Sequence, residues 1–277
     1  MPVIASPADG VPLRYDLTGT ADGDPAAPAL VLLHGSVLSR AIWRGLGYLG
    51  PLSAEHRVIR LDLRGHGRSG TPHEPSAYTQ DRFVADLLGV LDAEGIERAA
   101  LMGYSLGARV ALSTALAHPE GVTALISLGG SAAAQHGALD SVFFPGVIDT
   151  VREEGMAAFA DGQGLTADRS DRRGRSTREA FLAADAAAMA ALFTATDATP
   201  AVPEAELAAC AVPALWMAGS EDRPRLEDSR AAAATMPRAR FAELPGRDHG
   251  GTLWPAEPVL EQVTGFLREV EGRSAGA

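Results

Sequence analysis

Apolar and polar residues form two alternating patterns along the chain. Short, predominantly apolar runs of strand length recur, which is typical of strands buried on both faces of a parallel sheet. They lie at residues 30–33, 58–61, 99–102, 122–128, 213–218 and, more weakly, 240–244. Segments with helical spacing lie between them, as at residues 78–94, whose apolar face is formed by Phe83, Leu87, Leu88 and Leu91. Strands that alternate with helices predict a parallel sheet with right-handed crossovers.

The two ends of the chain follow other patterns. Residues 11–17 alternate weakly between apolar and polar, and residues 22–28 have the composition of a turn, so we expect a first hairpin there. A last helix is predicted over residues 258–270, with one apolar face formed by Val259, Val263, Phe266 and Leu267. The composition of residues 271–277 predicts a disordered tail.

Residues 132–203 interrupt the alternation of strands and helices. This segment is rich in alanine and has helical spacing at Val147, Val151, Met156 and Phe159, but it contains no convincing strand. We therefore expect an insertion of helices that roofs the carboxyl ends of the strands, where ligands bind in open α/β folds. The charged run at residues 168–175 is interpreted as a solvated loop, with contact to an anionic substrate as the alternative.

The period of the pattern changes at Ser105. A strand-length run precedes this serine, and residues at helical spacing follow it, so Ser105 is predicted to occupy a strand-to-helix corner. Gly103 and Gly107 flank it in a Gly-x-Ser-x-Gly pattern, because a Cβ at either position would collide with the neighbouring strand or helix. Such a turn exposes the serine hydroxyl and directs the N–H of Leu106 toward an oxyanion formed there.

Two further polar residues follow strands of the predicted sheet. Asp222 comes after the strand at 213–218, and His249 follows the last strand. A serine hydroxyl needs a base to act as a nucleophile at neutral pH, and a histidine base needs a carboxylate to fix its tautomer. Ser105, Asp222 and His249 are therefore the candidate catalytic residues, and the N–H of Ser36, after the strand at 30–33, is the second candidate oxyanion donor.

Competing residues are assigned weaker roles. Glu221, Asp228 and Asp248 are alternatives to Asp222, although Asp248 directly precedes His249, and adjacent side chains diverge on an extended loop. We interpret His34 as a structural histidine whose ring is hydrogen-bonded within its loop. Structural or surface positions are expected for four further histidines, His66, His73, His118 and His136. No histidine, cysteine or carboxylate group has the spacing of metal ligands, so no metal is expected.

The loop at residues 62–70 carries the letters of a dinucleotide fingerprint. Gly65, Gly67 and Gly70 have the Gly-x-Gly-x-x-Gly spacing, but the run is rich in arginine and opens no helix at its glycines. We therefore interpret it as a tight surface loop, and no cofactor is predicted.

Taken together, these motifs resemble the α/β-hydrolase superfamily over nearly the whole chain. The resemblance rests on His34-Gly35, Asp62-x-Arg64-Gly65-x-Gly67-x-Ser69, Gly103-Tyr-Ser105-Leu-Gly107, Gly219-x-x-Asp222 and Gly246-x-x-His249. It implies an eight-stranded, mostly parallel sheet, formed by residues 1–131 and 204–277, with residues 132–203 as a helical cap inserted before the last two strands. The Gly-Pro-Gly that follows His-Gly-Ser in the carbon–carbon bond hydrolases is absent.

Composition restricts the classes of partner. The formal charge of −11 and pI of about 5.1 argue against binding to nucleic acid or to an anionic membrane, and favour a small neutral or apolar ligand. All 24 basic residues are arginine, so no lysine can form a Schiff base or serve a phosphate-binding loop. Cys210 is the one cysteine, and no signal peptide is recognisable, which predicts a cytoplasmic protein. A monomer and a homodimer are equally compatible with the sequence.

Three functions are compatible with these residues. The leading interpretation is a cofactor-independent serine hydrolase that cleaves a small ester or lactone through an acyl-enzyme on Ser105. The second uses the same triad as a base for elimination or carbon–carbon cleavage, since Gly-Tyr-Ser-Leu-Gly-x-Arg also resembles the menaquinone-pathway elimination enzyme. The third is a ligand receptor with slow hydrolysis. The side chains predicted to line the substrate pocket are Leu38, Tyr104, Phe143, Phe144 and Trp254.

Overall fold

The core of the protein is one eight-stranded sheet. The computed structural model describes residues 2–20, 23–24 and 26–272. Along the sheet the strands follow the order β1-β2-β4-β3-β5-β6-β7-β8. Their bounds are Val3–Ala5, Pro12–Thr18, Ala29–Leu33, Arg57–Asp62, Ala99–Tyr104, Val122–Leu128, Ala214–Gly219 and Ala239–Leu244 for β1 to β8. Strand β2 is antiparallel to both of its neighbours, and every other adjacent pair is parallel, so the predicted mostly parallel sheet is confirmed.

Helices connect the strands and cover both faces of the sheet. The described helices, α1 to α11, are Ala41–Gly45, Leu49–Ser53, Gln80–Ala93, Leu106–Ala117, Ala138–Val142, Val147–Gly162, Arg172–Leu182, Ala186–Asp197, Glu204–Ala209, Arg225–Thr235 and Glu257–Val270. A 3-10 turn at Pro75–Tyr78 precedes α3, so the helix predicted from residue 78 begins two residues later. No single helix among the described residues is long and apolar enough to cross a membrane, although the bent pair Gly174–Leu182 and Ala186–Asp197 meets those criteria jointly.

The predicted hairpin around residues 22–28 is wrong. Strand β2 pairs with β1 and β4 rather than with β3, and Asp22 and Pro25 of the predicted turn lie outside the described residues. The reason is burial: all five residues of β3 are buried, so β3 belongs between two parallel neighbours, β4 and β5. The tail predicted at residues 271–277 lies, from residue 273 onward, outside the described part of the chain.

Alternate residues of the central strands pack on opposite faces. Val31 and Leu33 join a core with helices α3 and α4, whereas Leu30 and Leu32 join a second core with α1, α2 and α11. Because both faces of β3 are covered, the carboxyl ends of the central strands are held by packing on each side. Loops that leave this edge of the sheet therefore start from fixed positions.

The segment between β6 and β7 is helical and contains no strand among its described residues. Helix α8 packs against the 3-10 turn before α3, and the Nε2 of His73 lies 3.0 Å from Oδ2 of Asp185, the residue that caps α8. The charged run at residues 168–175 was predicted to be a loop, and this is wrong for its second half, because α7 begins within it. The Asp171 carboxylate accepts a 2.7 Å hydrogen bond from the N–H of Gly174 and so caps that helix.

The loop at residues 62–70 is mostly buried, with Gly67 and Arg68 as its exposed residues, so its prediction as a surface loop is wrong for most of its length. The Asp62 carboxylate accepts hydrogen bonds from the N–H of Arg40 (2.8 Å) and from its guanidinium. Arg64, which is fully buried, donates to the carboxylates of Asp86 (2.6 and 2.7 Å) and Asp9 (2.8 and 3.2 Å). These arginines can be buried because each has a carboxylate partner, a pairing that the local sequence does not reveal.

Candidate active site

Ser105 lies at the sharp corner between β5 and α4. Its backbone has φ 53° and ψ −113°, a conformation that costs a residue with a Cβ about 1–3 kcal/mol. A Cβ added to Gly103 would overlap the carbonyl of Gly107, and one added to Gly107 would overlap the carbonyl of Leu33. Glycine is therefore required on each side of Ser105, and the strand-to-helix corner predicted from the sequence is present.

The structure brings Ser105, His249 and Asp222 into one hydrogen-bonded chain. The Oγ of Ser105 lies 3.0 Å from Nε2 of His249, and Nδ1 of His249 lies 3.0 and 2.9 Å from the two carboxylate oxygens of Asp222. Asp222 is almost fully buried and also accepts a 3.4 Å hydrogen bond from the hydroxyl of Thr252. With Asp222 ionised, Nδ1 donates its proton to the carboxylate, which leaves Nε2 free to accept the serine proton.

Two residues lie close to the His249 ring. The ring of Tyr104 stacks on that of His249, with centroids 5.2 Å apart and planes inclined by 27°, and its hydroxyl donates to the His249 carbonyl at 2.9 Å. Gly129, at the end of β6, has φ 56°, and a Cβ there would lie 3.1 Å from Asp222 Oδ2 and 3.2 Å from His249 Cε1. The sequence analysis did not identify Gly129; the Gly-Gly pair directly after the strand at 122–128 was the available signal.

The loop after β3 contacts the Ser105 corner. Strands β3 and β5 pair with Leu33 opposite Gly103, and a Cβ on Gly35 would lie 3.2 Å from Cβ of Ser105. Within the described part of the chain, the amides of Ser36 and Leu106 donate no hydrogen bond, and both residues line the cavity that contains Ser105. These two N–H groups are therefore available to a ligand bound at the serine.

Two buried histidines support that loop. The Nδ1 of His34 donates to the carbonyl of Gly35 (2.8 Å), and its Nε2 accepts from the N–H of Leu63 (3.1 Å). The Nε2 of His66 accepts from the N–H of Val37 (3.1 Å) in the same way. Burial lowers the pKa of His34 to about 4 and that of His66, which also lies beside the His34 ring, to about 3. Both rings are neutral at pH 7 and have the structural place predicted for His34.

A narrow cavity opens beside Ser105, with side chains from the α5 region among its walls. Of the five residues predicted to line the pocket, Phe143 lies in this wall and the other four lie elsewhere. Tyr104 stacks on the His249 ring, Phe144 packs against Phe159, and Trp254 is 51% exposed. Leu38 is partly buried between the two cores. Helical spacing identifies an apolar face, but it does not say which aromatic side chain turns toward a cavity.

The cavity wall also contains two arginines that were not predicted to line the pocket, although Arg109 is the last residue of the Gly-Tyr-Ser-Leu-Gly-x-Arg motif. Arg109 follows Ser105 by one helical turn on α4, and Arg225 begins α10, three residues after Asp222. Both side chains are buried, at 7% and 5% exposure. Burial and the neighbouring charge of Arg225 lower the pKa of Arg109 to about 10, so its guanidinium is still charged at neutral pH.

Comparison with known proteins agrees with this architecture. A family model described as alpha/beta hydrolase fold matches residues 28–178, more than half of the chain. The crystal structure of the enol-lactonase from Burkholderia xenovorans LB400 is 29% identical, with a TM-score of 0.80 over 96% of this chain and 99% of that one. The protein named carbamate hydrolase RutD of Stutzerimonas stutzeri is 29% identical over 96% of this chain and all of its own length.

A further relative is matched over a smaller part of its length. The protein named 2-succinyl-6-hydroxy-2,4-cyclohexadiene-1-carboxylate synthase of Bacillus subtilis is 35% identical over 119 residues, which are 43% of this chain and 41% of that protein. The chain therefore spans less than half the length of this relative, in contrast to the full-length match with RutD. With its eight-stranded sheet and the family match, the chain belongs to the alpha/beta hydrolase fold family.

Proposed function

We propose that this protein is a serine hydrolase that cleaves a small ester or lactone through an acyl-enzyme on Ser105. The observation that carries the proposal is the chain of hydrogen bonds from Ser105 through His249 to Asp222, built on a strained corner. Strain at a residue whose side chain contacts a base is a feature of functional sites, because a merely structural serine would not require it. The similarity to an enol-lactonase and to a carbamate hydrolase supports the same class of reaction.

In the proposed mechanism, His249 removes the proton from the hydroxyl of Ser105 as the oxygen attacks the substrate carbonyl carbon. The negative charge that develops on the carbonyl oxygen is stabilised by the N–H groups of Leu106 and Ser36, which have no acceptor within the described chain. His249 then donates its proton to the departing alcohol oxygen, and the acyl group remains on Ser105. Asp222 stabilises the imidazolium in both steps.

The second half of the reaction releases the acid. A water molecule takes the place of the alcohol, His249 removes one of its protons, and the hydroxide attacks the acyl-enzyme carbonyl. The bond to Ser105 breaks, and the serine oxygen recovers the proton from His249. In a lactone the alcohol and the acid are parts of one molecule, so the product is a single hydroxy acid. Every step uses groups of the chain and water.

We propose that the helices between β6 and β7 form the cap of this site. Leu139, Val142 and Phe143 come from this insertion and lie in the same cavity wall as Ser105 and Leu106. A substrate at the serine would therefore contact the sheet edge on one side and the insertion on the other. Differences in the insertion would then change the choice of substrate without changing the triad.

Labelling with a fluorophosphonate tests the proposal directly. Intact mass spectrometry and peptide mapping should locate one adduct, on Ser105, because this serine alone among those described has a histidine base at 3.0 Å. The variant Ser105→Ala is the control and should take up no label. Labelling at another serine, or none on the folded protein, would contradict the proposal.

An elimination reaction is the second candidate, favoured by the similarity to the Bacillus subtilis synthase. In that reaction His249 would remove a proton from carbon, and no acyl group would be attached to Ser105. The two candidates differ in the Ser105→Ala variant. Ester hydrolysis should lose nearly all of its turnover, whereas elimination should retain part of its rate, since the histidine can still act through water.

A further inference from the structure

Two buried arginine side chains lie in the wall of the proposed substrate cavity. Arg109 and Arg225 line it together with Ser105, and no acidic side chain is among its described lining residues. The chain as a whole carries 35 acidic and 24 basic residues and is net negative, whereas this wall carries positive charge. Burial of a guanidinium is unfavourable unless a partner compensates its charge, so the partners of these two arginines decide whether the charge is compensated.

Arg109 has only neutral partners in the described part of the chain. Its Nη1 donates to the carbonyls of Ser131 (3.2 Å) and Ala133 (3.1 Å), and its Nη2 donates to the carbonyl of Pro200 (2.6 Å). The Nε atom is buried and has no hydrogen-bond acceptor among the described residues. Three of its five N–H donors are therefore used, and Arg109 retains its Nε–H, one Nη2–H and a full positive charge inside the protein.

Arg225 has one carboxylate partner. Its Nη1 donates to Oδ2 of Asp228 at 3.2 Å, and its Nη2 donates to Oε1 of Gln135 at 2.9 Å. The other nearby carboxylate, Asp222, accepts its described hydrogen bonds from His249 and Thr252. Among the described residues, Asp228 is thus the acid that bonds directly to Arg225, and Arg109 has no acidic partner.

We infer that the cavity accepts a substrate that carries a carboxylate, and that Arg109 and Arg225 recognise it. This inference deepens the proposed hydrolase function and rests on it, and it replaces the neutral or apolar ligand expected from net charge. Arg109 is four residues from Ser105, or about 6 Å along the helix axis. The carboxylate therefore belongs to a short acid, as in a half ester of a dicarboxylic acid or an acidic lactone, and Leu139, Val142 and Phe143 contact its carbon chain.

A matched pair of esters tests the inference. Mono-4-nitrophenyl glutarate and its methyl ester have the same leaving group and differ in one negative charge. After subtraction of the uncatalysed rates, kcat/KM for the anionic ester should exceed that for the neutral ester by about tenfold or more, since hydrogen bonds to charged groups contribute that much. Free glutarate should inhibit hydrolysis of the neutral ester competitively.

Two variants assign the preference to the arginines. Arg109→Gln should lower the ratio of the two kcat/KM values by about tenfold. Gln135→Glu, which places a carboxylate beside Arg225, should lower it as well, because a carboxylate of the protein then competes with that of the substrate for the guanidinium. Arg240→Gln is the matched control: Arg240 is exposed and pairs with Glu269, so the variant loses the same charge outside the cavity and should keep the wild-type ratio.

The outcomes separate the two levels of the proposal. Hydrolysis of both esters with a ratio near or below one overturns the carboxylate site while the hydrolase function stands. Absence of hydrolysis for both esters, with Ser105 unlabelled, overturns both. If Arg109→Gln does not fold, the wild-type ratio, inhibition by glutarate and the Gln135→Glu variant decide the question.

Discussion

Replacement of Asp222 by asparagine isolates the contribution of the buried carboxylate. Both carboxylate oxygens lie within 3.0 Å of Nδ1 of His249, and the side chain is inaccessible to solvent. Asparagine has almost the same shape, so the variant should fold. Its amide N–H₂ can donate to Nδ1, however, and the ring proton then lies on Nε2. A protonated Nε2 cannot accept the proton of Ser105.

The size of the effect follows from charge and distance. During attack, His249 becomes a cation next to the Asp222 anion, and two unit charges about 4 Å apart attract by about 4 kcal/mol at an effective dielectric constant of 20. Loss of this attraction lowers the rate by about 10³. The unfavourable tautomer adds to it, so we expect kcat to fall by about 10³ to 10⁴. The same substitution in a serine protease triad lowers kcat by about 10⁴.

The assay is hydrolysis of 4-nitrophenyl acetate, with thermal unfolding measured in parallel. The matched control is Asp248→Asn. Asp248 is adjacent to His249 in sequence, but its described contacts are with the loop, where Oδ1 accepts from the N–H of Gly251 at 2.7 Å and an amide oxygen can do the same. This variant should keep kcat within a few fold. Near-normal turnover in Asp222→Asn, or an equal loss in Asp248→Asn, would refute the assignment.

Two predictions concern stability. From pH 7 to pH 5 the free energy of unfolding should fall by about 4 kcal/mol. The folded-state pKa values of His34 (about 4) and His66 (about 3) lie below the unfolded value, so the unfolded chain binds more protons as pH falls below about 6.5. Urea titrations of His66→Gln should show a smaller pH slope; an unchanged slope argues against this cause. Gly107→Ala should prevent stable folding because its Cβ overlaps Leu33, whereas Gly265→Ala, on the open face of α11, should raise stability by about 0.5–1 kcal/mol; similar melting temperatures would disprove the packing argument.

Local residue patterns predict the part of this molecule that depends on local geometry. The apolar runs predict the strands, and the glycines around Ser105 predict its corner, because both follow from steric rules within a few residues. The sequence also predicts Asp222 and His249 as neighbours of Ser105, since their loops leave the same edge of a parallel sheet. The structure places the three side chains within hydrogen-bond distance.

Features that depend on distant partners could not be predicted in this way. The place of β2 beside β4 follows from which strand is buried most deeply, and burial of the loop residue Arg64 depends on Asp86 in helix α3. The composition of the cavity wall also depends on residues that are distant in sequence. Arg109 resembles any arginine on an amphipathic helix until the carbonyls of residues 131, 133 and 200 are seen to surround it.

The left-handed backbone of Ser105 sets stability and turnover against each other. Glycine adopts φ near 53° without a Cβ penalty, so Ser105→Gly would relax the corner and remove the nucleophile in the same step. Directed evolution of this protein for heat resistance alone would therefore favour loss of the nucleophile. A library built for that purpose needs codon 105 held constant, or a screen for turnover at every round.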